Sequence, residues 1–191
     1  MEYLDEEILR AKRLLERRKY TTLETGMYAG EDKITFRWRE LFGGLVRVSL
    51  PRQFVPMPES VKQVKYPAKR APEYILTSLD TTVNFCFNRI PAELEDGALQ
   101  NMSLRFQNAL EQINPSIKVK PQPDTATTQG NEMCWFEYKG YQLNGQSFNR
   151  VYLIRLQGAV LHGTFHCRQE DREKWKEIVR QIFFAVQECE E

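Results

Sequence analysis

The residues that most suggest a catalytic or metal site are two histidines, His162 and His166, four positions apart. On an α-helix this spacing would place both rings on one face, where they could bind one metal ion. The residues around them instead alternate with period two, which predicts a β-strand. At a rise of about 3.3 Å per residue the two strand positions are roughly 13 Å apart, too far to share an ion. We therefore expect no metal site at this pair.

Other residue types that carry chemistry lack the spacing that catalysis requires. The four cysteines are Cys86, Cys134, Cys167 and Cys189. No two of them form a C-x-x-C pair, so we expect free thiols. A disulfide between Cys134 and Cys167 remains an alternative, because both lie in strand-like segments. Glu132 and Glu137 flank a predicted strand and are interpreted as exposed carboxylates rather than as an acid and base pair. Without any phosphate-binding loop or nucleophile motif, the sequence favours a protein with neither enzymatic activity nor a cofactor.

Length and charge indicate how many domains the chain forms and which classes of partner it can bind. A chain of 191 residues suits one domain with a proper core. We divide it into an N-terminal helix and connector, 1–40, and a single α+β domain, 41–191. The formal net charge of +1 provides no basic footprint, so we expect no nucleic-acid partner. No apolar run is long enough to span a bilayer and the first twenty residues are charged throughout, which predicts no membrane insertion and a cytoplasmic location.

The last forty residues show the clearest pattern. Residues 151–156 and 160–167 alternate on either side of Gly158, which predicts an antiparallel hairpin. An apolar stripe follows at three- and four-residue spacing, formed by Trp175, Ile178, Val179, Ile182 and Val186. This stripe predicts an amphipathic helix that packs on the hairpin.

Upstream segments complete the predicted fold. We predict strands near 34–38, 45–50, 73–79, 82–88, 117–119 and 133–138, and helices near 4–20, 58–64 and 94–113. Strands in hairpins combined with long amphipathic helices indicate an α+β protein. We expect an antiparallel β-sheet flanked by helices, an α/β/α sandwich with an N-terminal helical extension. The segment 21–33 has little periodicity and is interpreted as a connector.

Two surfaces are candidates for binding. The stretch 36–42 interleaves aromatic and basic residues, and a proline-rich loop, 51–72, follows it. The predicted partner surface consists of Trp38, Arg39, Phe42, Tyr66, Lys69 and Arg70. The predicted self-association stripe on the first helix consists of Leu4, Ile8, Ala11 and Leu15. This helix is expected to pack on the domain or on a second copy of the chain in a homodimer.

The pattern from about residue 45 to 187 resembles the fold shared by PsbP, the Ran-binding protein Mog and the bacterial DcrB-like proteins. The shared features are the stretch VSLPRQF at 48–54, a central long helix, and a strand pair that leads into EKW at 173–175 and a final helix. No family binding residue can be placed on this sequence, and the first forty residues lie outside the resemblance. It implies a non-enzymatic protein that binds another protein, as an adaptor, an assembly factor or a chaperone akin to the Eag-type secretion chaperones.

From the resemblance we expect a bacterial cytoplasmic protein-binding domain. Two alternatives stay open. One is a small-ligand-binding domain with a pocket between sheet and helix, and the other is a hydrolase. Shape discriminates between them, because an adaptor exposes an apolar or self-associating surface, whereas a ligand-binding protein encloses a pocket with convergent polar groups.

Overall fold

The computed structural model describes residues 2–67, 71–123, 125–142 and 145–189. The helices in these ranges are α1 (Glu2–Arg17), α2 (Glu59–Lys65), α3 (Ala98–Ile113) and α4 (Arg172–Phe184). The strands are β1 (Thr21–Thr22), β2 (Gly26–Ala29), β3 (Asp32–Ile34), β4 (Phe36–Leu41), β5 (Val46–Pro51), β6 (Val55–Pro56), β7 (Tyr74–Thr77), β8 (Asn84–Pro91), β9 (Val119–Pro121), β10 (Met133–Gln142), β11 (Gly145–Leu156), β12 (Ala159–Arg168) and β13 (Gln187–Glu188). The chain is α+β, as predicted, and the strands of each described sheet pair antiparallel.

A seven-stranded sheet forms the centre of the molecule, in the order β6-β7-β8-β12-β11-β10-β9. Its middle is the predicted C-terminal hairpin, in which Leu156 opposes Ala159 across a turn where Gly158 adopts φ 63°. Successive side chains of a strand point to opposite faces, so the alternation seen in the sequence gives the sheet two apolar faces. We call the face covered by α4 the front face and the opposite one the rear face.

Helix α4 packs on the front face through the predicted stripe, except that it ends at Phe184, so the buried Val186 lies beyond the helix. Trp175, Ile178, Val179 and Ile182 are buried, and so is Phe183. The Phe183 ring stacks on the ring of Tyr152 in β11, with centroids 4.0 Å apart. Fully burying such a side chain contributes about 1.5–3 kcal/mol, so this stripe accounts for much of the attachment of α4.

Two small sheets extend the front-side core. The sheet β13-β5-β4 contributes Val46, Val48 and Leu50, which are fully buried. Residues 21–34 form the sheet β1-β2-β3 rather than the expected connector, because Leu23, Met27 and Ile34 join the core that α4 covers. The division of the chain at residue 40 remains a prediction, and that residue lies within β4.

The rear face carries the other two domain helices. Helix α3 covers Cys134, Leu153 and Val160, and Tyr66, which follows α2, packs with the buried Cys86. Helices on both faces confirm the predicted α/β/α sandwich. Cys134 lies in the rear cluster and Cys167 in the front core, so the disulfide left open between them does not form, and all four cysteines are free.

Candidate protein-binding groove

A groove of about 500 Å³ runs along the outer edge of β4. Its other wall is built by α2 and by the chain segments around β6 and β7. The side chains and backbone that line it belong to Arg37, Trp38, Arg39, Glu40, Leu41, Pro56, Met57, Glu59, Lys62, Glu73, Tyr74, Ile75 and Leu76. The groove therefore lies where the edge of the small sheet β13-β5-β4 faces the edge of the central sheet.

Within the described residues, strand β4 pairs with another strand on one side only, because it ends the order β13-β5-β4. The backbone N–H of Arg52 donates to the carbonyl of Thr35 at 2.9 Å, which identifies this opposed pair as a hydrogen-bonded one. Such pairs alternate with non-bonded pairs along an antiparallel ladder. Counting from Thr35, the backbone groups of Arg37 and Arg39 point to β5, and those of Trp38 and Glu40 point away from it, toward the groove.

Side chains cap the two ends of this edge. The Nε of Arg52 donates to the carbonyl of Phe36 at 2.9 Å, and the backbone N–H of Phe42 donates to the hydroxyl of Tyr74 at 3.2 Å. The backbone N–H and C=O of Trp38 and Glu40, between these caps, have no partner among the residues that the structure describes. The middle of β4 is thus an open hydrogen-bonding edge.

Aromatic side chains stand at this open edge. Trp38 is 41% exposed, and the guanidinium of Arg47 lies 5.5 Å from the centre of its ring. At the end of the groove the Phe42 ring meets the Tyr74 ring edge to face, with centroids 4.9 Å apart. A large exposed indole beside an open strand edge is typical of a docking site, since tryptophan often dominates binding at protein interfaces.

Arg37 and Arg39 are two positions apart on β4, so their guanidinium groups lie on the same face of the strand. Arg39 donates from Nη2 to the carbonyl of Phe54, and burial, with a smaller contribution from the charge of Arg37, lowers the pKa of Arg39. Neither arginine has a carboxylate partner in the described part of the chain. The groove as a whole is balanced in charge, since Lys62 and three glutamates, Glu40, Glu59 and Glu73, also line it. Only the face of β4 that carries the two arginines favours an acidic group supplied from outside.

A second, polar cleft of about 1150 Å³ opens at one end of the rear face. Directly opposed residues form a polar row across the central sheet, in the strand order β7, β8, β12, β11 and β10: Thr77, Asn84, His166, Asn149 and Tyr138. The Nδ2 of Asn84 donates to the carbonyl of Thr81, which fixes the amide orientation. Its Oδ1 is buried without a partner among the described residues.

The two histidines lie on this rear face at separate places. His166 contacts the hydroxyl of Tyr66 through Nε2 at 3.0 Å, and that hydroxyl lies 3.4 Å from the Sγ of Cys86. His162 lies under the ring of Phe106 in α3, with centroids 4.9 Å apart. Burial lowers the pKa of both imidazoles to about 4, so both are neutral near pH 7. The predicted strand around them is confirmed as β12.

No family model matches the chain, and no curated protein matches it by sequence. Among solved structures it is similar to the cyanobacterial PsbP protein CyanoP of Synechocystis sp., with a TM-score of 0.56, 11% identity, and 84% of this chain and 96% of that chain covered. It is also similar to the Ran-binding protein Mog1p of Saccharomyces cerevisiae, with a TM-score of 0.53, 11% identity, and 81% and 95% covered. The fold is PsbP/Mog-like. LpqN of Mycobacterium tuberculosis, involved in cell envelope biogenesis, matches with a TM-score of 0.51, 10% identity, and 82% and 92% covered.

The PsbP/Mog-like fold distributes the predicted partner surface over two places. Trp38 and Arg39 line the groove, and Phe42 stands at its end. Tyr66 lies on the rear face, in the polar cleft, whereas Lys69 and Arg70 lie outside the described residues. Sequence reasoning missed Tyr74 and Met57, because strand alternation identifies a strand but not the edge that it faces.

The predicted self-association stripe lies on α1, which is exposed along its described side chains. Ile8 is 45% and Leu15 59% exposed, Ala11 is exposed, and the side chain of Leu4 lies outside the described residues. The helix is tied to the domain at its end, where Arg17 pairs with Glu31 at 2.6 Å. No helix in the described ranges is long and apolar enough to cross a membrane.

Glu137 departs from its predicted role as an exposed carboxylate. Only 8% of the residue is exposed, and its carboxylate pairs with Arg150 at 3.4 Å and with Arg172 at 3.0 Å. Arg150 also donates to the carbonyl of Lys176 in α4. This cluster joins β10, β11 and α4, and its contacts are those of a structural ion-pair network.

Proposed function

We propose that this protein is a non-enzymatic protein-binding domain and that its partner docks in the groove beside β4. The observation that carries the proposal is the open edge at Trp38 and Glu40, flanked by an exposed indole. Among proteins of similar fold, Mog1p is described as Ran-binding, which supports a binding role at the level of the fold. The role of a bacterial cytoplasmic adaptor, assembly factor or chaperone remains part of this proposal.

The chemistry of the groove supports a function without catalysis. Among the described residues its lining holds no serine, threonine, cysteine or histidine, so this lining lacks the nucleophile and base pair on which most covalent hydrolases depend. The two histidines and the three buried cysteines lie away from the groove, and His166 and Cys167 line the polar cleft. The exposed indole and the other aromatic and apolar side chains of the lining support the binding of a partner.

The test is affinity capture from the native lysate with tagged protein and two single variants. Trp38→Ala removes the exposed indole, and Tyr141→Ala removes an aromatic side chain that is 49% exposed on β10, away from the groove. A central interface tryptophan commonly contributes at least about 2 kcal/mol, so Trp38→Ala should weaken binding roughly 30-fold. Equal recovery of the same partner by the wild type and both variants would exclude the groove as the binding site of that partner.

The stripe on α1 supports a second copy of the chain as a further partner. Ile8, Ala11 and Leu15 recur at three- and four-residue spacing and are exposed. Because an isolated helix of this length is only marginally stable in water, packing of this stripe on a second copy would stabilise it. We expect light scattering to show a dimer for the whole chain and a monomer after deletion of residues 1–20 or for Ile8→Glu with Leu15→Glu. Leu9→Glu, on an exposed residue outside the stripe, is the matched control. A wild-type monomer would refute the homodimer.

One observation favours a second candidate function, the binding of a small polar ligand. The Oδ1 of Asn84, in the wall of the polar cleft, is an acceptor without a partner in the described part of the chain, and such buried acceptors are rare in proteins. We expect native mass spectrometry of the purified protein to show a mass increment that disappears in His166→Phe, whose ring would reach into the cleft. An unliganded mass for the wild type would count against this function.

A further inference from the structure

We propose that the groove receives an extended acidic peptide, which adds to β4 as a further strand. The inference rests on the proposed function and names the class of partner. It follows from the backbone of Trp38 and Glu40, which offers two N–H donors and two carbonyl acceptors in one row.

An extended chain can pair with all four backbone groups of this row at once. A helix uses its own backbone groups internally, so a helical partner would leave the donors and acceptors of β4 unpaired. A strand presents alternate backbone groups at the spacing of the β4 edge, which is how peptides bind by strand addition. Antiparallel addition is expected because it is slightly more stable per residue than parallel addition.

The caps at the ends of β4 define the length and register of the added strand. Arg52 occupies the carbonyl of Phe36, and Tyr74 occupies the backbone N–H of Phe42. An incoming strand can therefore pair only with the residues between them. A short open stretch with charged side chains also keeps two copies of the chain from pairing edge to edge, since natural sheets protect their edges in this way.

The side chains of β4 specify the chemistry of the peptide. Residues that directly oppose each other in a ladder place their side chains on the same face. Residues of the peptide next to Arg37 and Arg39 would face two guanidinium groups that lack carboxylate partners in the described residues, so acidic side chains fit there. The residue opposite Trp38 would contact the exposed indole, so an apolar side chain fits there. The expected pattern alternates acidic and apolar residues.

A labelled heptapeptide of alternating valine and glutamate, blocked at both ends, provides the probe, and fluorescence anisotropy measures its binding. Two methylated forms test the backbone directly, one with N-methyl groups on the valines and one with N-methyl groups on the inner glutamates. In antiparallel addition the valines opposite Trp38 and Glu40 direct their N–H groups to β4, so only valine methylation should weaken binding, by roughly tenfold or more. Absence of binding, or an equal effect of both methylations, would overturn the proposal.

Hydrogen exchange gives an independent readout. The amide protons of Trp38 and Glu40 should exchange quickly in the free protein and slowly with the probe bound, whereas those of Arg37 and Arg39 should be protected in both states. Glu40→Pro removes one of the outward N–H groups without removing a hydrogen bond to β5. This variant should therefore keep the fold and bind the peptide more weakly. Unchanged exchange at Trp38 and Glu40 in the presence of saturating peptide would rule out strand addition.

Protein variants test the charge pattern. Arg37→Glu should lower the affinity for the peptide several-fold. Arg105→Glu, at an exposed position of α3, should leave the affinity for the peptide unchanged. Equal affinities of the two variants would contradict the acidic specificity.

The two proposals fail in different ways. Loss of the native partner in Trp38→Ala together with identical binding of the methylated peptides would refute strand addition and leave protein binding at the groove intact. Retention of the native partner in Trp38→Ala would refute the proposed function, whatever the peptide does.

Discussion

Replacing Gly163 by alanine tests how α4 is seated on the central sheet. Gly163 lies in the middle of β12, opposite Tyr152 and Phe87 in the neighbouring strands, and the ring of Phe183 covers it. A methyl group at this position would overlap Cε1 of Phe183 and lie 3.0 Å from its Cζ. Because the ring is stacked on Tyr152 and fully buried, it cannot move away without disturbing the core. Overpacking of this kind costs about 1–3 kcal/mol.

The expected result of Gly163→Ala is a free energy of unfolding lower by about 2 kcal/mol, measured by urea denaturation with an unchanged slope. In a Phe183→Leu background, which itself costs roughly 1–2 kcal/mol, the same change should be neutral or slightly stabilising, because most of the opposing ring is gone and alanine restricts the unfolded chain more than glycine. The two substitutions should therefore couple by about 2 kcal/mol.

Gly140→Ala in β10 is the matched control. Its methyl group would meet the Ser147 hydroxyl and the Nδ2 of Asn149, which are the movable ends of polar side chains. This substitution should cost less than Gly163→Ala. A neutral Gly163→Ala in the wild-type background, or strict additivity with Phe183→Leu, would refute the packing of Phe183 on Gly163.

Three further predictions concern ionisable side chains. Glu137→Ala should lower the free energy of unfolding by about 3 kcal/mol in urea titrations, because it leaves buried guanidinium charge unpaired, whereas the exposed Glu170→Ala should change it by less than about 0.5 kcal/mol. Burial lowers the pKa of His162 and His166 to about 4, below the unfolded value of 6.5, so stability is complete above about pH 6.5 and falls toward pH 4. Each histidine should account for roughly 2 kcal/mol of lost stability between pH 7 and 5, and single glutamine substitutions should each remove part of this slope. Thiol titration without reductant should show one reactive cysteine in the native protein, Cys189, and all four after unfolding, since the other three are buried.

The groove illustrates the limit of sequence reasoning at a functional site. The interleaved aromatic and basic residues of 36–42 indicated a binding surface, and the structure places Trp38 and Arg39 in the wall of a groove. The alternation that predicted β4 could not show that its outer edge stays unpaired. That property depends on the order of strands in the sheet, which periodicity does not encode.

Glu137 shows the same limit for buried charge. Its position on a strand of mixed polarity predicted exposure, but the sheet and α4 place Arg150 and Arg172 around it. A carboxylate can be buried where cations from distant parts of the chain converge on it, and the sequence separation of 35 residues between Glu137 and Arg172 hides this pairing.

The sequence by itself determined the elements that are amphipathic over many residues. Period two on both sides of Gly158 specified the hairpin β11-β12, and the three- and four-residue spacing that includes Trp175 and Ile182 specified α4, because a long apolar stripe has only one regular structure in which it can be buried. The tertiary structure decided the short strands β1-β3, the packing of α3 on His162, and the open edge of β4. These features arise from contacts between segments far apart in the chain, whose free energy no local pattern contains.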